Sequence, residues 1–238
     1  MTSERAVLLI ADIGGYTEYM RTHRMNLAHA EVGTARMLES IVDAARGFDL
    51  IEIEGDAAFL SRRDGGGDPN AAVAELLRVV VAMHRAFHRE REDVATNLCP
   101  CGGCREIGNL KLKFVAHVGD VAVQSIRGRR KLVGIDVILV HRLLKNPVAI
   151  PEYVLLSEEL FASGQAVLPE RVEEITPDLE GIGSVRAYFV DVADIDDPLP
   201  PLRSPAWYQR LGNTFAIVGR GLPLMLGRKQ VRSVAESV

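Results

Sequence analysis

Three carboxylates, Glu52, Glu54 and Asp56, fall within five positions of one another in the stretch IEIEGDAAFL, residues 51–60, beside Gly55. Apolar residues at 51, 53 and 57–60 predict a hairpin with both arms anchored in a core, so the acids are held together. Unpaired like charges raise one another's pKa, and a cation or an ordered hydrogen-bond donor among them relieves the repulsion. A second capable group is CPCGGC, which contains all three cysteines, Cys99, Cys101 and Cys104. Thiols clustered in a cytosolic protein point to metal binding rather than to disulfides. Gly102 and Gly103 permit a tight turn around Zn²⁺, whose fourth ligand would be His84, His88, His117 or a residue of a partner chain. Such a site is a structural knuckle; three free or redox-active thiols are the alternative. A third group, RGRRK at residues 127–131, sets four cations in five positions, either as a cradle for a triphosphate tail or as an exposed solubilising loop.

The elements that must position these residues are legible from pattern. AVLLIADI is a continuous apolar run ending near Asp12, which suits a central strand buried on both faces. The two glycines of GGYTEYM turn it sharply into a helix. Residues 27–46 form a predicted amphipathic helix with Leu27, Val32, Met37, Leu38, Ile41 and Val42 near one stripe, ended by Gly47. After the hairpin and the glycine-rich loop RRDGGGDPN, residues 71–94 read as a long helix. LKLKFVAHVGDVAVQSI reads as two strands joined at Gly119 and Asp120, and IDVILVHRLLKN as a helix stopped by Pro147. EYVLLSEEL and VRAYFVDV supply later strands. This order predicts an α+β sandwich, an antiparallel-rich sheet with helices on one face.

The expected domain spans residues 1–197 and includes a cysteine-rich loop at 97–108. A proline-rich linker at 198–205 and a basic apolar tail at 206–238 follow. Net charge is −4, but residues 199–238 hold six Lys or Arg against the single Glu236, leaving the body near −9. The tail is either a peripheral membrane or protein contact or a solvated extension. Neither an export signal nor an 18-residue apolar span is evident, so a cytoplasmic bacterial protein is expected, membrane association resting only on the tail; nucleic acid is not an expected partner.

Residues 6–145 carry a resemblance. LLIADIGGYT looks like the opening motif of class III nucleotidyl cyclases, a strand-end aspartate followed by a hydrophobic residue, glycine, an aromatic and threonine. IEIEGDAAF resembles their hairpin motif, and VAHVGDVAVQSIRGRRKLVGIDVILVHRLLK their later hairpin and catalytic helix. EIEGDA, the CxCxxC cluster and VHRLLKN together are similar to an uncharacterised bacterial family of cyclase-like proteins.

The resemblance implies a ferredoxin-like cyclase sandwich in which Asp12 and Asp56 share Mg²⁺ or Mn²⁺, hard cations that prefer oxygen ligands. The alternative is that Asp12 caps a helix and Asp56 serves a turn. Ile13, Gly14 and Gly15 would offer backbone N–H groups to the triphosphate of ATP or GTP, with Arg129 and Lys131 from the basic stretch beside them. Two metals would activate a 3′-hydroxyl and neutralise departing pyrophosphate. The family's active sites lie across a head-to-tail homodimer. Glu52 falls at its base-reading position, where glutamate accepts from guanine N1–H and N2–H₂; Lys131 departs from the second such position, and pairing of Glu52 with Lys131 is the alternative. On the catalytic helix the family's asparagine and arginine correspond to Ile138 and Arg142. Arg142 retains a phosphate-binding guanidinium, whereas Ile138 offers no hydrogen bond, a loss of about 10²–10³ in rate. Adenylate or guanylate cyclase activity with weak or altered catalysis is one expectation, a catalytically inactive nucleotide sensor or interaction module the other.

Overall fold

The structure, a computed structural model, describes residues 3–22, 27–97 and 106–196. Cys99, Cys101, Cys104, the linker and the tail lie outside the described residues. An eight-stranded sheet runs in the order β2-β3-β1-β4-β6-β10-β7, with β5 paired to β4. Its strands are β1 (Ser3–Gly14), β2 (Asp49–Glu54), β3 (Ala57–Arg63), β4 (Lys111–Ile126), β5 (Arg129–Val133), β6 (Tyr153–Ser157), β7 (Glu173–Ile175) and β10 (Ala187–Asp191). A small hairpin of β8 (Asp178–Leu179) and β9 (Gly183–Ser184) stands apart. The helices are α1 (Tyr16–Thr22), α2 (Leu27–Ala44), α3 (Pro69–Asn97), α4 (Ile135–Leu143) and α5 (Glu158–Ser163).

The apolar run of β1 follows from its central place. Val7, Leu9, Ala11 and Ile13 enter one core with α2 and α3, while Ala6, Leu8 and Ile10 enter a second core with α4. Successive strand residues point to opposite faces, so a strand covered on both sides must be apolar throughout. The main helical layer covers one face as expected, and α4 with the β8–β9 hairpin covers part of the other. The β4–β6 pair is parallel and the other ladders are antiparallel. Among the described residues no helix is long and apolar enough to cross a membrane.

Four local expectations are corrected. Gly119 and Asp120 do not form a turn; they lie inside the continuous β4, opposite Ala6 and Arg5 of β1. Gly119 marks a close approach instead, because a Cβ there would meet the Asp136 carboxylate, which accepts the Asp120 N–H at 2.7 Å. In RGRRK only Arg127 and Gly128 turn, with φ of 50° and 76°, and Arg129 already begins β5. Two consecutive positive φ values suit the right-handed twist of a tight hairpin. The β2 arm is only partly anchored: β2 is the sheet edge, Ile51 packs half-buried against the second core and Ile53 is 44% exposed, whereas Ala57, Ala58, Phe59 and Leu60 of β3 are buried. Val32 likewise faces solvent on α2, while Met37, Leu38 and Ile41 are buried.

Candidate functional site

Asp12 sits near the end of β1, opposite Ala57 of β3 on one side and Lys113 of β4 on the other. Asp56 lies in the two-residue connection between β2 and β3, beside Gly55, whose φ of 65° meets no neighbour. The Ile13 N–H donates to the Asp56 carbonyl at 3.1 Å, locking the hairpin turn to the end of β1. The two carboxylates sense each other: burial and then the Asp12 charge raise the Asp56 pKa, offset in part by a hydrogen bond to its own backbone and by Lys113. Lys113 Nζ lies 3.0 Å from Asp12 Oδ2. That ammonium, which sequence reasoning missed, supplies one positive charge to a pair carrying two negative ones. Its only sequence signal is a charge between the apolar Leu112 and Phe114, which sends it to the face Asp12 shares.

The three acids of the opening stretch therefore part company. Glu52 pairs with Lys131, its two oxygens 3.2 and 3.4 Å from Nζ. Glu54 Oε2 stands 3.5 Å from His141 Nδ1, and the His141 ring meets Phe59 edge-on at 4.8 Å. Asp56 is held at the Asp12 end of β1 by the Ile13 N–H, where burial and then the Asp12 charge raise its pKa. The two positions to which the resemblance would give base reading thus pair with each other. Arg130 is spent on Glu4 and Asp49 at 3.4 and 3.3 Å, leaving exposed Arg127 and Arg129 without an ion pair to any described residue.

Of the proposed phosphate-facing amides, Ile13 is committed to Asp56. Gly15, with φ of 84°, takes the left-handed conformation that swings the chain into α1, and its carbonyl accepts the Tyr19 N–H at 3.0 Å. Ile138 and Arg142 lie one turn apart on α4 beside a cleft of 530 Å³, lined also by His141, Lys145, Asp178 and Glu180. Arg142 Nη1 is 3.0 Å from the exposed Glu180 carboxylate, an ion pair that solvent weakens, and Ile138 is exposed without a polar group.

The histidines offered as a fourth cysteine partner have other neighbours. His117 is buried, its Nδ1 2.8 Å from Ser157 Oγ and its Nε2 3.1 Å from Asp136 Oδ1. Ser157 is fully buried and caps α5, so this Ser–His–Asp row ties β4, β6 and α4 together and offers no substrate a nucleophile. His84 and His88 converge on Glu152, and the ligand atoms of these three lie within 4.8 Å of one another, a group able to hold a metal ion. Glu152 was not foreseen; the HxxxH spacing of HRAFH on a predicted helix was the available signal.

The sheet order and the helical layer match the fold of class III nucleotidyl cyclase domains. The crystal structure of the adenylyl cyclase CyaB from P. aeruginosa superposes with a TM-score of 0.56 at 15% identity, covering 86% of this chain and 98% of that one. A class III adenylyl cyclase-like ATP-binding protein from Pseudomonas aeruginosa gives 0.56 at 19% identity over 68% of this chain and 35% of its own. Residues 34–153 match the family described as "Protein of unknown function (DUF2652)", and the chain belongs to that family. The uncharacterized protein Rv2561/Rv2562 of Mycobacterium tuberculosis is 34% identical over 197 residues, 82% of this chain and 90% of the relative.

Proposed function

We propose that this protein binds a nucleoside triphosphate, ATP or GTP, together with Mg²⁺ or Mn²⁺, at a homodimer interface. The observation that carries the reading is the 3.1 Å bond from the Ile13 N–H to the Asp56 carbonyl, which holds Asp56 beside the Asp12 end of β1, with the Asp56 pKa raised by burial and by the Asp12 charge. Two carboxylates forced together are relieved by a hard divalent cation, and a triphosphate supplies the remaining oxygen ligands. Lys113 then either yields Asp12 to the metal or remains as a further phosphate partner. The turn at Gly14 and Gly15, with Arg129, provides contacts for the phosphates, and Arg142 for charge on the α-phosphate. Exposed Leu50 and Ile53 on β2, Val133 on β5, and Ile135 and Ile138 on α4 are apolar side chains that a second copy would cover.

Binding is favoured over rapid turnover. Glu52 is occupied by Lys131, and Ile138 leaves the ribose without a positioned hydrogen bond, so cyclisation, where it proceeds, is slow. The cyclase-like ATP-binding protein of the same fold supports this sensor-like reading, and the adenylyl cyclase CyaB supports the enzymatic one.

The test uses purified full-length protein with Mn²⁺ and each of ATP and GTP, beside Asp56→Asn. Cyclic nucleotide detected by mass spectrometry and lost in the variant establishes an enzyme. A metal-dependent thermal shift with one nucleotide and no cyclic product selects a sensor. Neither response, in a protein shown to be folded, removes both readings.

A further inference from the structure

On the opposite face of the sheet from Asp12, α3 carries His84 and His88 one turn apart, their ring centroids 4.2 Å from each other. Glu152, just before β6, presents one oxygen to both: Oε1 is 2.7 Å from His88 Nε2 and 3.7 Å from His84 Nε2. Donors about 2.1 Å from a tetrahedral ion stand roughly 3.4 Å apart, and these separations bracket that value. The side chains are only 13%, 11% and 18% exposed for His84, His88 and Glu152. We infer that His84, His88 and Glu152 form a binding site for one divalent first-row transition metal, Zn²⁺ by preference, separate from the carboxylate pair and independent of the nucleotide reading.

Three observations carry it. His84 Nδ1 faces Asp196 Oδ2 at 3.3 Å, while Arg85 Nε donates to the other oxygen of that carboxylate at 2.6 Å. With Nδ1 as donor to Asp196, the pair forms the carboxylate–histidine arrangement that orients metal ligands. The remaining nitrogen, Nε2, is then a lone pair aimed at a carboxylate; it is buried and has no hydrogen-bond partner among the described residues. A lone pair facing an anion is repulsive unless a cation stands between them.

The second observation is how the carboxylate is held. The Leu112 N–H of β4 donates to Glu152 Oε1 at 3.1 Å, so the backbone fixes in place the oxygen that both histidines face.

The third is ligand type. Two nitrogens and one carboxylate oxygen suit zinc and its neighbours, whereas Mg²⁺ prefers oxygen alone. Three protein donors leave a fourth position for water, and the ion would fasten α3 to the start of β6 and, through Leu112, to β4.

The experiment titrates Co²⁺ into the full chain carrying Cys99→Ser, Cys101→Ser and Cys104→Ser, followed by visible absorption. About one equivalent is expected, with d–d bands, no thiolate charge-transfer band, and displacement by Zn²⁺. His88→Ala and Glu152→Gln, shown to be folded by circular dichroism, should each weaken binding by more than about tenfold. Asp196→Asn keeps all three ligands but weakens the orienting carboxylate, and a loss of about 10- to 100-fold is expected there too, which covers the case of an unfolded ligand variant. Failure of the cysteine-free protein to bind Co²⁺, or equal binding by folded His88→Ala, overturns the site.

Discussion

Consecutive residues of β4 serve two clusters of opposite character. Lys113 points to the α4 face and pairs with Asp12, while the Leu112 N–H donates to Glu152 beside α3. On the first face two carboxylates and an ammonium share the end of the sheet, and burial, then the Asp12 charge, push the Asp56 pKa up. On the second face two imidazoles surround one carboxylate, and its pKa falls. The alternation of side chains along a strand lets one stretch of sheet present hard oxygen ligands on one side and borderline nitrogen ligands on the other. Proximity therefore does not decide which ion a cluster takes; donor chemistry and the balance of charge already present do.

The sharpest way to break this contrast is a double dissociation. Asp56→Asn should weaken Mn²⁺-dependent binding of ATP or GTP by about 100-fold or more, near 3 kcal/mol, while leaving Zn²⁺ stabilisation of the cysteine-free protein intact. His88→Ala should do the reverse. At Zn²⁺ concentrations near 100 times Kd the unaltered His cluster contributes about 2.7 kcal/mol, which for a domain of this size raises Tm by roughly 5–10 °C. Calorimetry and thermal unfolding of both variants with each metal check the pair. A variant that loses both responses would merge the two clusters into one.

A smaller effect is expected on α4. Ile138→Asn places a carboxamide one turn before Arg142, at an exposed position where the substitution costs little packing. Cyclic product per unit time should rise by about 10- to 100-fold over the unaltered protein, read by mass spectrometry with Mn²⁺. No gain would place the limit elsewhere, at the Glu52–Lys131 pair or at Lys113.

The main elements were legible because their signals are local and physical. A both-face apolar strand at residues 6–13, long amphipathic helices and the Gly-Asp hairpin all reappear. What failed failed for tertiary reasons. Gly119–Asp120 has the composition of a turn, yet the glycine is demanded by Asp136, 17 positions later, and no local rule reports that. Ile53 alternates as a buried strand residue should, but β2 is an edge and leaves it 44% exposed among the described residues. Asp12 and Asp56 were found by spacing and motif, whereas Lys113 and Glu152 each acquire meaning only through a partner about 100 or 64–68 residues away. His84 and His88 entered the sequence reading as candidates for a fourth ligand beside the cysteines, which lie outside the described residues, and the fold sets both beside the Glu152 carboxylate.

The strain at the carboxylate pair has a testable sign. An acid whose folded pKa is raised favours the folded state when protonated, and that contribution is lost as pH rises through its folded value. At neutral pH the ionised Asp56 therefore destabilises the metal-free protein. Asp56→Asn with EDTA should raise Tm at pH 7 by roughly 2–4 °C for each kcal/mol of repulsion relieved. The gain should shrink as pH falls through the raised folded value of Asp56, below which the carboxyl in the unaltered protein is itself protonated. The same substitution then loses ligand binding and gains stability, a combination that a purely structural Asp56 would not give.

The least effect belongs to the Glu52–Lys131 pair, because both side chains are more than two-fifths exposed and solvent screens them. Lys131→Ala should change stability by less than about 1 kcal/mol. Its information lies in base preference. With its ammonium partner gone, Glu52 is a free acceptor for guanine N1–H and N2–H₂, which adenine cannot offer, so the GTP response should rise over the ATP response by about 1 kcal/mol, a several-fold change. An unchanged ratio would mean that Glu52 never meets the base. The pair would then serve only to join the exposed edge strand β2 to β5, and nucleotide selection, if any, would have to come from other residues of the site.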